Sequence, residues 1–237
     1  MTGWAAKRFW KQATTEAVPG GFTVRLDTRP LKTPAKAALV VPTRAMAEAI
    51  AAEWDAQADR IDPRSMPVTR SANSAIDKVM PQKDEVVSLI AAYGASDLLC
   101  YRAETPAALV ARQSAAWDPW LARAAGVWGP LTVTSGVVPV AQPETTVAAL
   151  RARVLACSPF ELAALYDLVA ISGSLILGLA VAEDWMDVDS AWKLSRIDDD
   201  WQIEHWGEDA EAAEMAAFKA AEFAHAGHFW KLARIPA

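Results

Sequence analysis

The feature that most restricts how this chain folds is a change of hydrophobic period near residue 43. Before it, Phe22, Val24 and Leu26 alternate with Thr23, Arg25 and Asp27, between Pro19-Gly20-Gly21 and Asp27-Thr28-Arg29-Pro30. A period of two with turn residues at both ends reads as a strand. Leu31–Thr33 and Ala38–Val41 follow at hairpin spacing, with Pro34 and Pro42 as stops. With Arg8–Val18 they predict a short antiparallel meander. After the change, Met46, Ile50 and Trp54 recur at i, i+4 and i+8 behind a Thr43 N-cap, which predicts a helix over Arg44–Ala58. So small a sheet has one apolar face that something must cover. That helix, with Trp54 as a structural residue at its end, is expected to cover it.

Helical signals dominate from there on. A second helix starts near Pro67 after Ile61-Asp62-Pro63, and Val86, Leu89, Ile90 and Tyr93 form the stripe of a third, ended by Gly94. Thr105-Pro106 and Asp118-Pro119 each set a capping residue before a proline suited to a first turn, so each is expected to open a helix. Leu131–Val138 alternates and predicts a lone strand, with the meander as one candidate neighbour. Ser158-Pro159-Phe160-Glu161 matches a capping box, and its helix runs into the apolar stretch Leu168–Ala182. Two more helices are expected, Val188–Trp206 ended by Gly207 and one over about 209–226. Fifty alanines among 237 residues suit so much helix, because Ala loses no side-chain entropy there. The fold class is α+β: a small N-terminal antiparallel β-rich domain with covering helices over 1–80, then a larger, mostly α-helical domain over 81–237. The strand near 131–138 is a candidate to return to the first domain.

Length and composition exclude several classes. A chain of 237 residues with 53% hydrophobic and 22% charged content buries a real core and is neither disordered nor a membrane bundle. The apolar run Leu168–Ala182 is 15 residues long, short of the roughly 20 a spanning helix needs, so no stable membrane insertion is expected. MTGWAAKRFWKQ lacks the apolar stretch of a signal peptide. Cys100 and Cys157 cannot make a disulfide framework and read as reduced, buried thiols.

The common catalytic signatures are missing: no Gly-rich phosphate loop, no dinucleotide fingerprint, no HExxH, no GxSxG. Two clusters keep an enzyme reading alive. Glu222, His225 and His228 lie at i, i+3 and i+6, and a His pair at that spacing can share a metal. Asp198-Asp199-Asp200 could serve a divalent cation or an acid–base pair, but successive helical residues point about 100° apart, so a solvated or partner-facing acidic face is expected instead. The basic start, with Trp4, Lys7, Arg8, Phe9, Trp10 and Lys11, has the aromatic-and-cation mix of a single-strand binder. A net charge of −6 argues against nucleic acid as the main partner. The charge is also polarised: residues 1–44 carry eight Lys/Arg against two acids, residues 183–222 three against thirteen. Eleven Trp outnumber six Phe and three Tyr together, so large amphipathic rings do much of the packing or contacting.

Read in order, KRFWK (Lys7–Lys11), LDTRPLKTP (Leu26–Pro34), AIAAEWDAQ (Ala49–Gln57) and the spaced pattern from Ile61 to Asp77 resemble the N-terminal half of the Atp-twelve family. SDLLCYRA (Ser96–Ala103), Gln113 with Trp117–Pro119, and SRIDDDWQIEHWG (Ser195–Gly207) are similar to its later motifs. Two departures are Thr28, where the family's turn has Gly, and Asp199, where its acid pair ends in Glu. The resemblance implies a chaperone for the alpha subunit of the F-type ATP synthase catalytic head, with no enzymatic activity, nucleotide, cofactor, metal or nucleic acid. It implies a bacterial cytoplasmic member, or a mitochondrial matrix one if trimmed, and a monomer is expected. Within Val188–Gly207, Leu194, Ile197 and Trp201 at i, i+3 and i+7 are expected to dock the helix, with Gly207 ending it. Asp198, Asp199, Gln202 and Trp206 are then the expected partner-binding residues.

Overall fold

The computed structural model describes residues 7–234. In chain order it contains β1 (Ala13–Val18), β2 (Gly21–Leu26), β3 (Arg29–Pro30), α1 (Arg44–Asp55), α2 (Pro67–Ser74), α3 (Lys83–Ala92), β4 (Tyr101–Arg102) and α4 (Ala107–Trp128). Then come β5 (Thr134–Ser135), α5 (Glu144–Leu155), α6 (Pro159–Ser172), α7 (Leu175–Ala182), α8 (Val188–Ser195), α9 (Ile197–Trp206) and α10 (Ala210–Arg234). A three-stranded antiparallel sheet near the N-terminus precedes a mostly helical remainder, so the fold is α+β. The chain divides into two units. Among the described residues, one takes in 7–83 with 158–164 and the chain from 228 on; the other is 84–157 with 165–227. Neither unit is one continuous stretch.

In the first unit β1 and β2 form a hairpin from Ala13↔Leu26 to Val18↔Gly21. Gly21 sits where an added Cβ would lie 2.2 Å from the Val41 carbonyl oxygen, so only glycine lets the returning chain pair at Phe22. Val24 and Leu26 are buried as the alternation predicts, but Thr23 is buried too. Its hydroxyl donates to the Leu39 carbonyl at 2.7 Å, which satisfies a polar group on what the pattern reads as the outer face. Helix α1 packs on β1 and β2 through Met46 and Ile50. Thr43 caps it, its Oγ1 accepting from Met46 N at 3.1 Å while donating to the Leu232 carbonyl at 2.6 Å. Helix α2 has no cap of its own; Glu53 supplies one, accepting from Val68 N and Thr69 N at 2.7 and 2.8 Å. The predicted capping box is present, with Ser158 and Glu161 exchanging bonds of 2.8 and 3.2 Å.

In the second unit all eight residues of α7 are buried, and Leu168, Val181, Ala191, Phe223 and Ala226 form one apolar cluster. Four expectations change. Helix α3 buries Val87, Ile90 and Ala91 and exposes Leu89, so its buried stripe is shifted from the predicted one. Asp118-Pro119 opens no helix; α4 runs through it, because the carbonyl orphaned by Pro119 lies at the exposed Ala115. The strand in 131–138 shrinks to Thr134–Ser135 and pairs in parallel with β4, not with the meander. Val133, Val137 and Val138 are exposed, so this segment has no apolar face to bury. Val188–Trp206 is two helices, broken at Arg196 (φ −105°, ψ 6°).

Candidate functional site

The predicted partner-binding residues lie on α9, and α4 holds that helix at both ends. Gln113 of α4 is buried; its Oε1 accepts from Ala103 N at 2.8 Å and its Nε2 donates to Asp198 Oδ1 at 2.6 Å. Trp117, fully buried one turn later, donates from Nε1 to the Leu194 carbonyl at 2.9 Å, just before the break. Arg112 donates to both carboxylate oxygens of Glu204 at 2.9 and 2.7 Å. That pair is exposed, and its mutual hydrogen bond pulls the Glu204 carboxyl below its ordinary range and the Arg112 guanidinium above its own.

Two grooves flank α9. The first, about 510 Å³, lies among Arg102, Pro106, Leu109, Val137, Asp198 and Trp201. The second, about 490 Å³, lies among Trp192, Arg196, Asp199, Asp200, Ile203 and Ala213. Gln202 and Trp206 line both and so form the ridge between them. Trp206 is 78% exposed, and Val137 on the first groove is 92% exposed. Both are large apolar side chains left open to water on one groove.

The three aspartates diverge. Asp198 faces Gln113, while Asp199 and Asp200 meet Arg196 at 2.7 and 3.7 Å. They do not converge on one point, and among the described residues no group of three or more His, Cys, Asp or Glu could hold a metal ion. Asp198 is therefore not free, as the sequence spacing suggested, but half-buried and bonded. Trp201 also differs from its expected docking role. Only Ile197 of α9 is buried, and Trp201 is half-buried, stacked on His205 with centroids 4.2 Å apart. Gly207 ends the helix at φ 90°, with nothing within 4 Å of an added Cβ, so backbone conformation alone selects glycine there.

The remaining candidates are placed apart. Trp54 is half-buried, edge-on to the buried Trp10 with centroids 5.1 Å apart, and lines a cavity. Arg8 donates to the carbonyls of Asp55 and Gln57, an internal clamp that occupies the central cation of the basic start. Trp4 lies outside the described residues. Cys100 and Cys157 are free and buried, and burial pushes the Cys100 thiol up to about 12. His225 is half-buried and His228 exposed on α10.

Arg102 is a groove residue that the sequence reading missed. Its side chain is 5% exposed, with Nη2 on Asp118 at 2.7 Å and Nε on the Leu99 carbonyl at 3.1 Å, while Nη1 is buried without a partner. The signal was its place in SDLLCYRA, but nothing local shows that this arginine turns inward.

Known proteins share this fold. The crystal structure of Atp12 from Paracoccus denitrificans matches with a TM-score of 0.94 at 49% identity, covering 97% of this chain and 99% of that one. A variant of that protein in which lysine replaces an aspartate matches with 0.95, again at 49% identity, over 97% and 98%. A protein from Agrobacterium tumefaciens gives 0.91 at 42% identity over 95% of this chain and 85% of its own. An α+β fold with an aromatic, acid-rimmed surface and these likenesses defines the class as a chaperone. Protein atp12, mitochondrial, of Schizosaccharomyces pombe is 25% identical over 222 residues, 88% of this chain and 76% of its own. The sequence profile described as ATP12 chaperone protein matches residues 7–125, half of the chain. The chain belongs to the ATP12 chaperone family, which serves ATP synthase assembly.

Proposed function

We propose that the client is the unassembled alpha subunit of the F-type ATP synthase catalytic head, held on the α9 ridge by Trp206 and Gln202 with Asp198 and Asp199 on its flanks. The observation that carries this is Trp206: a Trp 78% exposed on a ridge between two grooves, in a chain of this family. An unassembled subunit exposes interface surface that aggregates, and covering it needs an aromatic and apolar contact with a polar rim. Trp206, Val137 and Pro106 supply the apolar part; Asp198, Asp199 and the unpaired Nη1 of Arg102 supply polar groups beside it. The chaperone works as a monomer, without nucleotide, metal or other cofactor, and releases the client to its assembly partners. It acts in a bacterial cytoplasm; identities of 49% and 42% to the two bacterial proteins, against 25% to the mitochondrial one, support that location.

The test is Trp206→Ala. The ring makes little intramolecular contact at 78% exposure, so the melting temperature should match the native chain. Suppression of alpha-subunit aggregation should fall steeply, as truncating a central Trp anchor costs about 2 kcal/mol or more of binding. Undiminished protection would remove α9 as the client surface. Among the described residues no helix is long and apolar enough to cross a membrane.

A further inference from the structure

Three of the segments that carry the family resemblance meet at one cavity in the first unit, and none of its lining residues belongs to α9. It encloses about 520 Å³, within the roughly 300–1,000 Å³ of small-ligand sites. Pro34 comes from LDTRPLKTP, Trp54 from AIAAEWDAQ, and Ile61, Met66, Asn73 and Asp77 from the pattern that ends at residue 77. Its wall is mainly apolar, yet three polar atoms carried by these residues are buried without a hydrogen-bond partner: Trp54 Nε1, Asn73 Oδ1 and Asp77 Oδ1. Native proteins pair the large majority of such atoms, so three around one cavity need an explanation. The other oxygen of Asp77 accepts from Ala35 N at 3.0 Å, which fixes the carboxylate against the loop after β3. Asp77 also lies in Ala75–Val79, a single π-helical turn, a departure frequent at functional sites.

The unpaired atoms specify the ligand's chemistry. One is a donor and two are acceptors, so the ligand must offer at least one carbonyl-type acceptor and two N–H-type donors, along with an apolar group. Lys32, Arg70 and Lys78 also line the cavity, but an anion drawn to them would leave both acceptors unpaired. An extended polypeptide supplies all of these groups at successive positions.

We propose that this cavity is a second client site, taking an extended segment of the alpha subunit; it rests on the client reading given above. A main-chain carbonyl accepts from Trp54 Nε1, main-chain amides donate to Asn73 Oδ1 and Asp77 Oδ1, and an apolar side chain lies against Pro34, Ile61 and Met66. The three atoms are screened from water, so side chains lining the cavity must shift for the segment to reach them.

The experiment titrates the full chain, ¹⁵N-labelled at tryptophan, with overlapping twelve-residue peptides of the alpha subunit. The expected result is one peptide that shifts the Trp54 indole resonance. Trp54→Phe keeps a ring and removes the N–H, so it should weaken that peptide about three- to tenfold, one hydrogen bond's worth. Its melting temperature should fall only modestly: the N–H has no intramolecular partner to lose, and the smaller ring gives up part of the contact with Trp10. Asn73→Ala, a second variant that leaves the ring in place, should weaken the same peptide. The site is overturned if no peptide moves the Trp54 indole, or if both variants bind as the native chain does. Alpha-subunit aggregation is followed in parallel: native protection with no effect at Trp54 sinks this cavity and leaves the α9 surface standing. Absence of native protection sinks the client reading and this site together.

Discussion

Helices α7 and α9 belong to the same unit and are nearly the same length, yet they are held by opposite means. All eight residues of α7 are buried, whereas only Ile197 of α9 is. Helix α7 must therefore have its polar backbone satisfied from inside, and Asp97 does that. This carboxylate is fully buried, accepting from the Ser174 hydroxyl at 2.7 Å, Leu99 N at 3.0 Å and Ile176 N at 2.9 Å. Helix α9 is fastened by side chains at its rim, Gln113 to Asp198 and Arg112 to Glu204. A helix held by burial has no face left for a partner. One held by clamps keeps its outer face, and Gln202 and Trp206 occupy it.

The largest effect expected from breaking this contrast is at Trp117, where the two regimes meet. Its ring is fully buried under Arg102, and its Nε1 holds the end of α8. Trp117→Ala should cost about 3–5 kcal/mol, read as a lower denaturant midpoint, with protection falling in step because the whole unit loosens. A variant that melts like the native chain would show that the unit does not depend on this ring.

Asp97 comes next and gives α7 a pH signature. Desolvation by burial raises its pKa to about 6 despite the donors that favour the charged form, against an ordinary 3.8. The folded state then binds a proton more readily than the unfolded one between those values. This carboxylate's contribution to stability is accordingly largest below about pH 4, declines as pH rises to about 6, and is flat above. The span is roughly 3 kcal/mol at about 1.4 per pK unit. Carboxyl ¹³C NMR of Asp97 across pH 4–8 checks it, and Asp97→Asn should flatten the same stretch of the stability curve. A midpoint near 4 would mean that the donors outweigh burial.

Much of the first unit is legible in sequence because its determinants are local. Thr43 lies three residues from the amide it caps, Ser158 and Glu161 form one box, and Met46 and Ile50 share one face. What holds α9 is not local: Gln113 and Asp198 are 85 residues apart, and nothing near either names the other. Spacing along the helix gave Asp198 an open face, whereas the fold brings a buried amide against it. The break at Arg196 was hidden for a related reason, since its guanidinium lies over Trp192 and pairs with two aspartates beyond the break, contacts a straight-helix reading does not foresee. Arg102 escaped notice because a lone arginine in a short motif gives no sign that it turns inward. The cavity beside Trp54 was missed because its walls come from separate segments, none of which reads as a site by itself.

The smallest effects separate the two neighbouring acids on α9. Asp198→Lys removes the acceptor of a Gln113 amide that is 1% exposed and sets a cation beside it. Leaving such a donor unsatisfied costs about 1–3 kcal/mol, so the melting temperature should fall clearly and protection should fall with it. Asp199→Lys instead gives up an i,i+3 pair whose carboxylate is 57% exposed. Pairs of that kind contribute about 0.3–0.5 kcal/mol, and Arg196 keeps Asp200 at 3.7 Å as an alternative partner. Its melting temperature should therefore stay near native, and added salt should narrow the gap further. If Asp199 meets the client, this charge reversal reduces alpha-subunit protection out of proportion to its effect on folding. Side-by-side melting and aggregation assays on the two variants read that difference. Equal losses of stability at the two positions would mean that Gln113 does not clamp α9, and that the outward face of this helix is not kept free by side-chain fastening after all.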